Sequence, residues 1–371
     1  LIRNYFTPQW VYNLQKVRHM QAGKKDIRTL TNEALEQCLK EIGQPAFRAK
    51  QIAQWIWQKE CRRFDEMTNL PKALRASLAE HFDIRPIQLS RAQKSADGTI
   101  KCTFRLHDGH LIESVLIPTE NRMTACVSSQ VGCSLTCKFC ATGYMKRERN
   151  LTAAEIYDQV IEVNRLALQH YGKALTNIVY MGMGEPLLNY SEVMRSTEII
   201  SSADGWNFSA KRITVSTAGI AKMIKRIGDE QRKFNLALSL HAADDSKRSQ
   251  IMPINEQNSL AALIEALQYY YQQTKQPVTF EYIVFRDFND SLDDARKLLK
   301  IVRKVPSKVN IIEYNPIDKA QFQNTTPERL AAFAGFLEKQ GVVVKVRRSR
   351  GKDIDAACGQ LATKENEKSH A

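Results

Sequence analysis

Downstream of Asn150 the chain alternates short runs rich in β-branched residues with amphipathic stretches of helix length, and this rhythm limits the available architectures more than any other feature. Strands are predicted over residues 176–181, 212–216, 235–240, 278–284, 309–314 and 342–346, and helices over 152–168, 191–201, 220–227, 259–272, 292–302 and 327–339. Short apolar runs suit buried strands, whereas an apolar period of about 3.6 residues suits helices. Parallel neighbours need a crossover, and an intervening helix supplies it, so the alternation predicts an α/β domain on a parallel sheet. Six such units fit either a doubly wound sheet or a barrel, and strand count alone does not choose.

The chain before this region reads differently. Over residues 24–82 apolar side chains recur at helical spacing: Ala34, Leu35, Cys38, Leu39 and Ile42 form one stripe, closed by Gly43 as a C-cap. Ile52, Ala53, Trp55 and Ile56 form a second stripe after Pro45, and Leu74, Leu78 and Phe82 mark a third helix. The expected helical domain covers residues 24–85, with Lys40, Arg48, Lys50, Arg62 and Arg63 on its polar surfaces, either as a solvated face or as contacts to a polyanion. Residues 87–116 alternate apolar and polar around Asp97-Gly98 and Asp108-Gly109, which predicts a β-meander serving as a linker over 86–120 before the α/β domain of 121–361. Residue 1 is Leu, residues 1–23 lack periodicity and Met20 is a candidate initiator, so this segment is read as a non-native or disordered extension. Residues 362–371 read as a polar tail.

With 371 residues, 43% of them hydrophobic and only 16 Gly and 11 Pro, the chain has the composition of a globular protein of about two domains, which excludes collagen-like, disordered and small disulfide-stapled classes. No stretch approaches the roughly 18 uninterrupted apolar residues of a membrane helix, and no secretory core follows the start, so a cytoplasmic location without membrane association is expected. Lys and Arg number 54 against 40 Asp and Glu, an excess of 14 that favours a polyanionic partner, nucleic acid above all. Eight cysteines in such a compartment are not expected to form structural disulfides.

Three of those cysteines fall in Gln130-Val131-Gly132-Cys133-Ser134-Leu135-Thr136-Cys137-Lys138-Phe139-Cys140-Ala141-Thr142-Gly143, a CxxxCxxC spacing within eight residues. One loop can wrap all three thiols round a metal centre. Three ligands rather than four would leave one iron of a cubane iron–sulfur cluster open to a substrate. The competing reading is a closed zinc tetrahedron completed by Cys126, although zinc motifs usually pair two short turns across a longer loop. Cys38, Cys61 and Cys102 read as small buried hydrophobes.

The triplet, with an aromatic residue before its last cysteine, resembles the cluster loop of radical S-adenosylmethionine (SAM) enzymes. Met181-Gly182-Met183-Gly184-Glu185-Pro186, some 40 residues on, is similar to the glycine-bearing "GGEP" segment of that superfamily. The resemblance implies a partial (β/α)6 radical SAM barrel, one 4Fe-4S cluster held by Cys133, Cys137 and Cys140, and SAM. Cys126-Val127-Ser128-Ser129-Gln130-Val131-Gly132-Cys133, the segment from Met181 through Asn189, and Asp353-Ile354-Asp355-Ala356-Ala357-Cys358-Gly359-Gln360-Leu361 together resemble the RlmN/Cfr family of RNA adenine methyltransferases over roughly Lys25 to Leu361. Gly184-Glu185-Pro186-Leu187-Leu188-Asn189 is more similar to the RlmN branch, which methylates adenine carbon 2, than to the Cfr branch, which methylates carbon 8 and confers antibiotic resistance.

Membership of that family implies a role for each remaining part. One SAM methylates Cys358, and a second is cleaved to a radical that activates the methyl group for addition to adenine in 23S rRNA or in tRNA beside the anticodon. Glu113 accepts the adduct's proton, and Cys126 attacks Cys358 to release the product and leave a disulfide, so a thiol reductant is implied besides a flavodoxin- or ferredoxin-like electron donor. By position, Gly184, Glu185, Ser216, Ser239, Leu240, His241 and Asn315 are the expected SAM contacts. Because the target base must leave its stack, a flipped-out adenine or a loop substrate is expected. The run Lys345-Val346-Arg347-Arg348-Ser349-Arg350-Gly351-Lys352 is either a solvated charge run or a phosphate contact beside the reactive cysteine. A monomer is expected. The alternatives are a carbon-8 methyltransferase of the Cfr type and a non-catalytic zinc-dependent RNA-binding protein.

Overall fold

The computed structural model describes residues 24–363, so residues 1–23, with the candidate initiator Met20, and residues 364–371 lie outside the described residues. The chain divides into two units, of which the first comprises residues up to 86 together with 202–207. In it the short strand β1 (Lys25–Asp26) precedes the helices α1 (Asn32–Glu41), α2 (Phe47–Trp57) and α3 (Lys72–His81), and β2 (Phe82–Asp83) pairs in parallel with β1. Thr31 starts α1 by accepting the Ala34 N–H at 3.2 Å. Leu35 and Leu39 of α1, Ile52 and Ile56 of α2 and Leu74 and Leu78 of α3 are buried. Phe82, expected on the third helix, lies instead on β2, because α3 ends one residue earlier.

The second unit holds a ten-stranded sheet. Strands β3 (Gln88–Lys94), β4 (Ile100–Arg105), β5 (Leu111–Thr119) and β6 (Arg122–Cys126) are antiparallel neighbours. A small ladder follows, β7 (Gln130–Val131) with β8 (Arg149–Asn150). Then come α4 (Ala153–Tyr171), β9 (Asn177–Tyr180), α5 (Tyr190–Ser201), β10 (Ile213–Thr217), α6 (Ala221–Asp229), β11 (Asn235–Ser239), α7 (Asp245–Ile251), α8 (Leu260–Thr274), β12 (Val278–Val284), α9 (Leu292–Val302), β13 (Ser307–Glu313), α10 (Pro327–Lys339) and β14 (Val344–Arg347). The strand order is β14-β13-β12-β11-β10-β9-β6-β5-β4-β3, and every pair from β6 to β14 is parallel.

The segment after β14 draws the two edges of this sheet together. Ser95 Oγ donates to Asp353 at 2.6 Å, the Ala96 N–H to the same carboxylate at 3.1 Å, and the Gly351 N–H to Asp97 at 2.9 Å. The result is the expected partial (β/α)6 barrel, with its open side spanned by the C-terminal segment. No helix among the described residues is long and apolar enough to cross a membrane.

Four further features differ from expectation. The parallel run begins at β6, one strand before residue 176, because the cluster loop separates β6 from its helix α4 and hides the βα rhythm. The meander is not a detached linker: β3, β4 and β5 continue the barrel sheet, since β5 pairs with β6, β4 with β5 and β3 with β4. Helix α7 escapes the apolar period because Ile251 is its one strongly apolar residue, and the side chain it buries most fully besides is Arg248. Ala362 and Thr363, expected in a polar tail, pack into the unit, with Thr363 buried.

Candidate active site

The C-terminal ends of parallel strands and the loops that follow them are where barrels place ligand-binding groups. In this chain the cluster loop follows β6, and it turns so that Cys133, Cys137 and Cys140 line one cavity of about 160 Å³ together with Gly184, Glu185, Ser216, Ser239, His241 and Cys358. The Phe139 ring between the cysteines anchors the loop: it meets the His241 ring edge-on, 4.8 Å between centroids and 77° between planes, and lies 5.8 Å from the Phe285 ring. Lys138 N–H donates to the Ile251 carbonyl at 3.0 Å and fixes the loop against α7.

Burial pushes the Cys133 thiol up to about 12, lifts Cys137 well above its ordinary value and raises Cys140, with the neighbouring sulfurs adding to the rise at Cys133 and Cys137. Three thiolates in such a place need cationic compensation, which bound iron would supply. Among the described residues, no three cysteine, histidine or carboxylate side chains converge closely enough to share one ion. Thiols spread along a pocket wall suit a cubane, in which each binds a different iron, rather than a single zinc. Cys126 does not line this cavity, so it is not placed as a fourth ligand.

The strand after the loop brings in the glycine-bearing segment. Gly184 adopts φ +95°, and a Cβ there would lie 2.5 Å from the Gln130 side chain, so only glycine lets this turn pass so close to the β7 strand. Glu185 is buried; its carboxylate accepts the Ala218 N–H at 2.7 Å and the Leu187 N–H at 2.9 Å, which binds the ends of β9 and β10 together. Burial raises its pKa, and the two backbone donors pull the other way. Ser216 Oγ lies 3.4 Å from Ser239 Oγ on the next strand.

His241 lines the cavity, and Leu240 serves it from behind. The His241 Nδ1 accepts the Ile283 N–H at 3.1 Å, and burial together with Arg248 holds its pKa down at about 3, so the ring is neutral. Leu240 does not line the cavity; its carbonyl accepts from Arg248 Nε at 3.1 Å. Asn315 does not line it either, but its Nδ2 donates to the Cys358 carbonyl at 3.1 Å while its buried Oδ1 has no hydrogen-bond partner among the described residues. That acceptor is available to a bound ligand.

Cys358 is an exposed residue at the cavity, yet its thiol is hemmed in by protein, and burial raises its pKa against the opposing pull of Arg347. Cys126 is buried at the end of β6, where burial pushes it up to about 12 and Cys358 adds to the rise. All eight cysteines are free thiols. Glu113 is 4% exposed on β5 and sits in a different cavity, of about 200 Å³, lined also by Arg91, Lys101, Asp355 and Ala362. Burial pushes its carboxyl up to about 7, with Lys101 and the Ala362 N–H working against the rise.

Sequence reasoning missed Glu281 and Arg248 as parts of the site, and it named Arg347 only within a basic run that was either solvated or a phosphate contact. Glu281 and Arg347 line the cavity, 3.5 Å apart, and Asn310 donates to Glu281 at 2.8 Å. The pairing of Ile312 with Arg347 and of Glu281 with Asn310 puts these side chains on one sheet face, a signal visible only once register is known. The basic run is largely engaged within the chain: besides Arg347, Lys352 pairs with Glu313 at 2.8 Å and Arg350 donates to the Asp97 carbonyl at 3.2 Å. Arg248, fully buried, donates to the carbonyls of Leu240, Ser239 and Ala218 and to Asn255 Oδ1.

Residues 25–84 match the family described as the ribosomal RNA large subunit methyltransferase N-terminal domain, and residues 127–299 match the radical SAM superfamily. The chain is 56% identical over 342 residues to a probable dual-specificity RNA methyltransferase RlmN of Cytophaga hutchinsonii, covering 92% of this chain and 94% of that one. It is 43% identical over 343 residues to a dual-specificity RNA methyltransferase RlmN of an Anaeromyxobacter species, covering 91% of each. The crystal structure of a radical SAM methyltransferase from Sphaerobacter thermophilus superposes with a TM-score of 0.85 at 43% identity, over 91% of this chain and 99% of that chain.

Proposed function

Because the chain belongs to the RlmN family of dual-specificity RNA methyltransferases within the radical SAM superfamily, we propose that it methylates carbon 2 of adenine in the peptidyl-transferase region of 23S rRNA and in tRNA beside the anticodon. The observation that carries this reading is Cys358 at the cavity that Cys133, Cys137 and Cys140 line, with Cys126 close behind it. Carbon 2 lies between two ring nitrogens and is too electron-poor to attack a methyl sulfonium, so the reaction needs radical chemistry. When bound, a 4Fe-4S cluster and two SAM molecules per turnover supply the methyl group, a carbon radical and an acceptor for one electron.

Cys133, Cys137 and Cys140 would hold the cluster. Gly184, Glu185, Ser216 and Ser239 would line the SAM side, supported by Leu240, His241 and Asn315. The Cys358 sulfur takes up the methyl group and then loses one hydrogen atom from it. The resulting sulfur-bound methylene radical adds to adenine carbon 2, joining chain and RNA. Glu113 accepts the proton that leaves carbon 2 as the ring recovers its aromaticity. Attack by the Cys126 thiolate then breaks the bond between the Cys358 sulfur and the methylene carbon; that carbon takes a proton and leaves as a methyl group, while the two sulfurs form a disulfide. An external thiol reductant restores both cysteines, and a flavodoxin- or ferredoxin-like protein provides the electron. A cytoplasmic location keeps the resting thiols reduced.

Digestion and mass spectrometry of RNA treated anaerobically with the reconstituted protein and SAM tests the reading. We expect 2-methyladenosine from the unaltered chain, RNA covalently attached to Cys126→Ala, and neither product nor attachment from Cys358→Ala. 8-Methyladenosine would overturn the carbon-2 assignment, and full turnover by Cys126→Ala would remove its releasing role.

A further inference from the structure

The segment 353–363 forms a partition between two cavities. Cys358 and Gly359 face the one lined by the three cluster cysteines, and Asp353, Ile354, Asp355, Ala362 and Thr363 face the one that holds Glu113. On the Glu113 side the partition is held by two bonds that bracket Cys358. Lys101 Nζ donates to the Asp355 carbonyl at 3.5 Å, and the Ala362 N–H donates to Glu113 at 3.0 Å. The same Lys101 ammonium lies 3.7 Å from the other Glu113 oxygen, and side-chain exposures of 9% and 5% leave this pair little water to screen it. Asp355 is held at φ +52°, a conformation uncommon outside glycine, and its carbonyl is the one that Lys101 engages.

We propose that Lys101 is a positioning residue of the methyl-transfer reaction, tying Glu113 and both flanks of the Cys358 segment into one unit so that proton acceptor and methyl-carrying sulfur keep a fixed relation across the partition. The proposal rests on the roles given above to Glu113 and Cys358. An ammonium on the inner face of β4 is costly to bury and is tolerated where a carboxylate and a carbonyl compensate it. Removing it would leave Glu113 facing Thr103 of β4, Arg91 of β3, and Asp353 and Asp355 of the segment, with its nearest countercharge gone. Lys101 lowers the Glu113 pKa and Asp355 raises it, so the loss of Lys101 moves the pH at which Glu113 can accept a proton upward.

The test uses the full chain in two measurements. Hydrogen exchange of the substrate-free protein should show the amides of residues 355–362 exchanging at least tenfold faster in Lys101→Met, with the β4 and β5 ladder amides unchanged, and Lys101→Arg should restore protection. In anaerobic single turnover, breakdown of the RNA–protein adduct should have its pH midpoint raised in Lys101→Met and returned in Lys101→Arg. If Lys101→Met does not fold, Glu113→Gln provides the exchange arm, because it weakens the same clamp without a change of shape. Exchange and pH midpoint unchanged in a folded Lys101→Met, or exchange unchanged in Glu113→Gln, would overturn the proposal. An unaltered chain that forms no adduct would instead overturn the functional reading, and the exchange arm would still decide the clamp.

Discussion

Cys126 and Val115 stand opposite one another in the antiparallel ladder of β5 and β6, so Cys126 shares a sheet face with Val115 and, two residues along the same strand, with Glu113. The buried thiol and the buried carboxylate thus both face the barrel interior, although Glu113 opens to a cavity of its own. Two adjacent strands therefore hold the residues to which resolution of the adduct and proton removal are assigned.

The raised pKa of Glu113 has a consequence for stability. Its ordinary value of 4.5 moves to about 7 on folding, so between these values the folded chain binds more protons than the unfolded one. The neutral carboxyl's contribution is full below pH 4.5 and is lost as pH rises through about 7, on the order of 3 kcal/mol at most. Glu113→Gln, which mimics the neutral form, should flatten the fall in denaturation midpoint between about pH 4.5 and 7. Parallel profiles for both chains would show that the carboxyl titrates alike in both states.

Gly143 lies where the cluster loop folds back on itself. A Cβ there would stand 2.6 Å from the Cys137 carbonyl oxygen and 3.1 Å from the Cys137 nitrogen, both of them backbone atoms that cannot swing aside. Gly143→Ala should therefore displace Cys137 and lower the iron and sulfide retained per chain after anaerobic reconstitution, while far-ultraviolet circular dichroism stays unchanged. Full iron retention would show that the loop adapts without moving its thiols.

Arg248 ties the cavity floor together through the carbonyls of Ala218, Ser239 and Leu240, and burial lowers its pKa to about 10. Arg248→Met would strand these acceptors and Asn255 Oδ1 without their donor, at a cost of roughly 2–5 kcal/mol. Urea denaturation should read that loss with a midpoint shift and an unchanged slope. A change under about 0.5 kcal/mol would mean that water replaces the guanidinium.

Chemistry carried by short-range spacing was legible in the chain itself. Cys133, Cys137 and Cys140 sit within eight residues, so their meeting at one site required no knowledge of the fold. The strands and helices from β9 onward were legible for a similar reason, since apolar periodicity is a local consequence of burying one face. Strand β6 was not legible as the first barrel strand, because the cluster loop interrupts the repeat between it and α4.

Sequence alone thus pointed to three thiols that could share a metal centre, to most of the strands and helices beyond the cluster loop, and by resemblance to the cysteines and carboxylate proposed for the reaction. Tertiary structure alone decided which of the many cations turn inward and what each one meets. Arg347 beside Glu281, Arg248 beneath the strand ends, and Lys101 between Glu113 and Asp355 join residues 66, 8 to 30, and 12 to 254 positions apart. Such partners are set by strand register and by the closure of the sheet, and neither is encoded in the spacing of nearby residues.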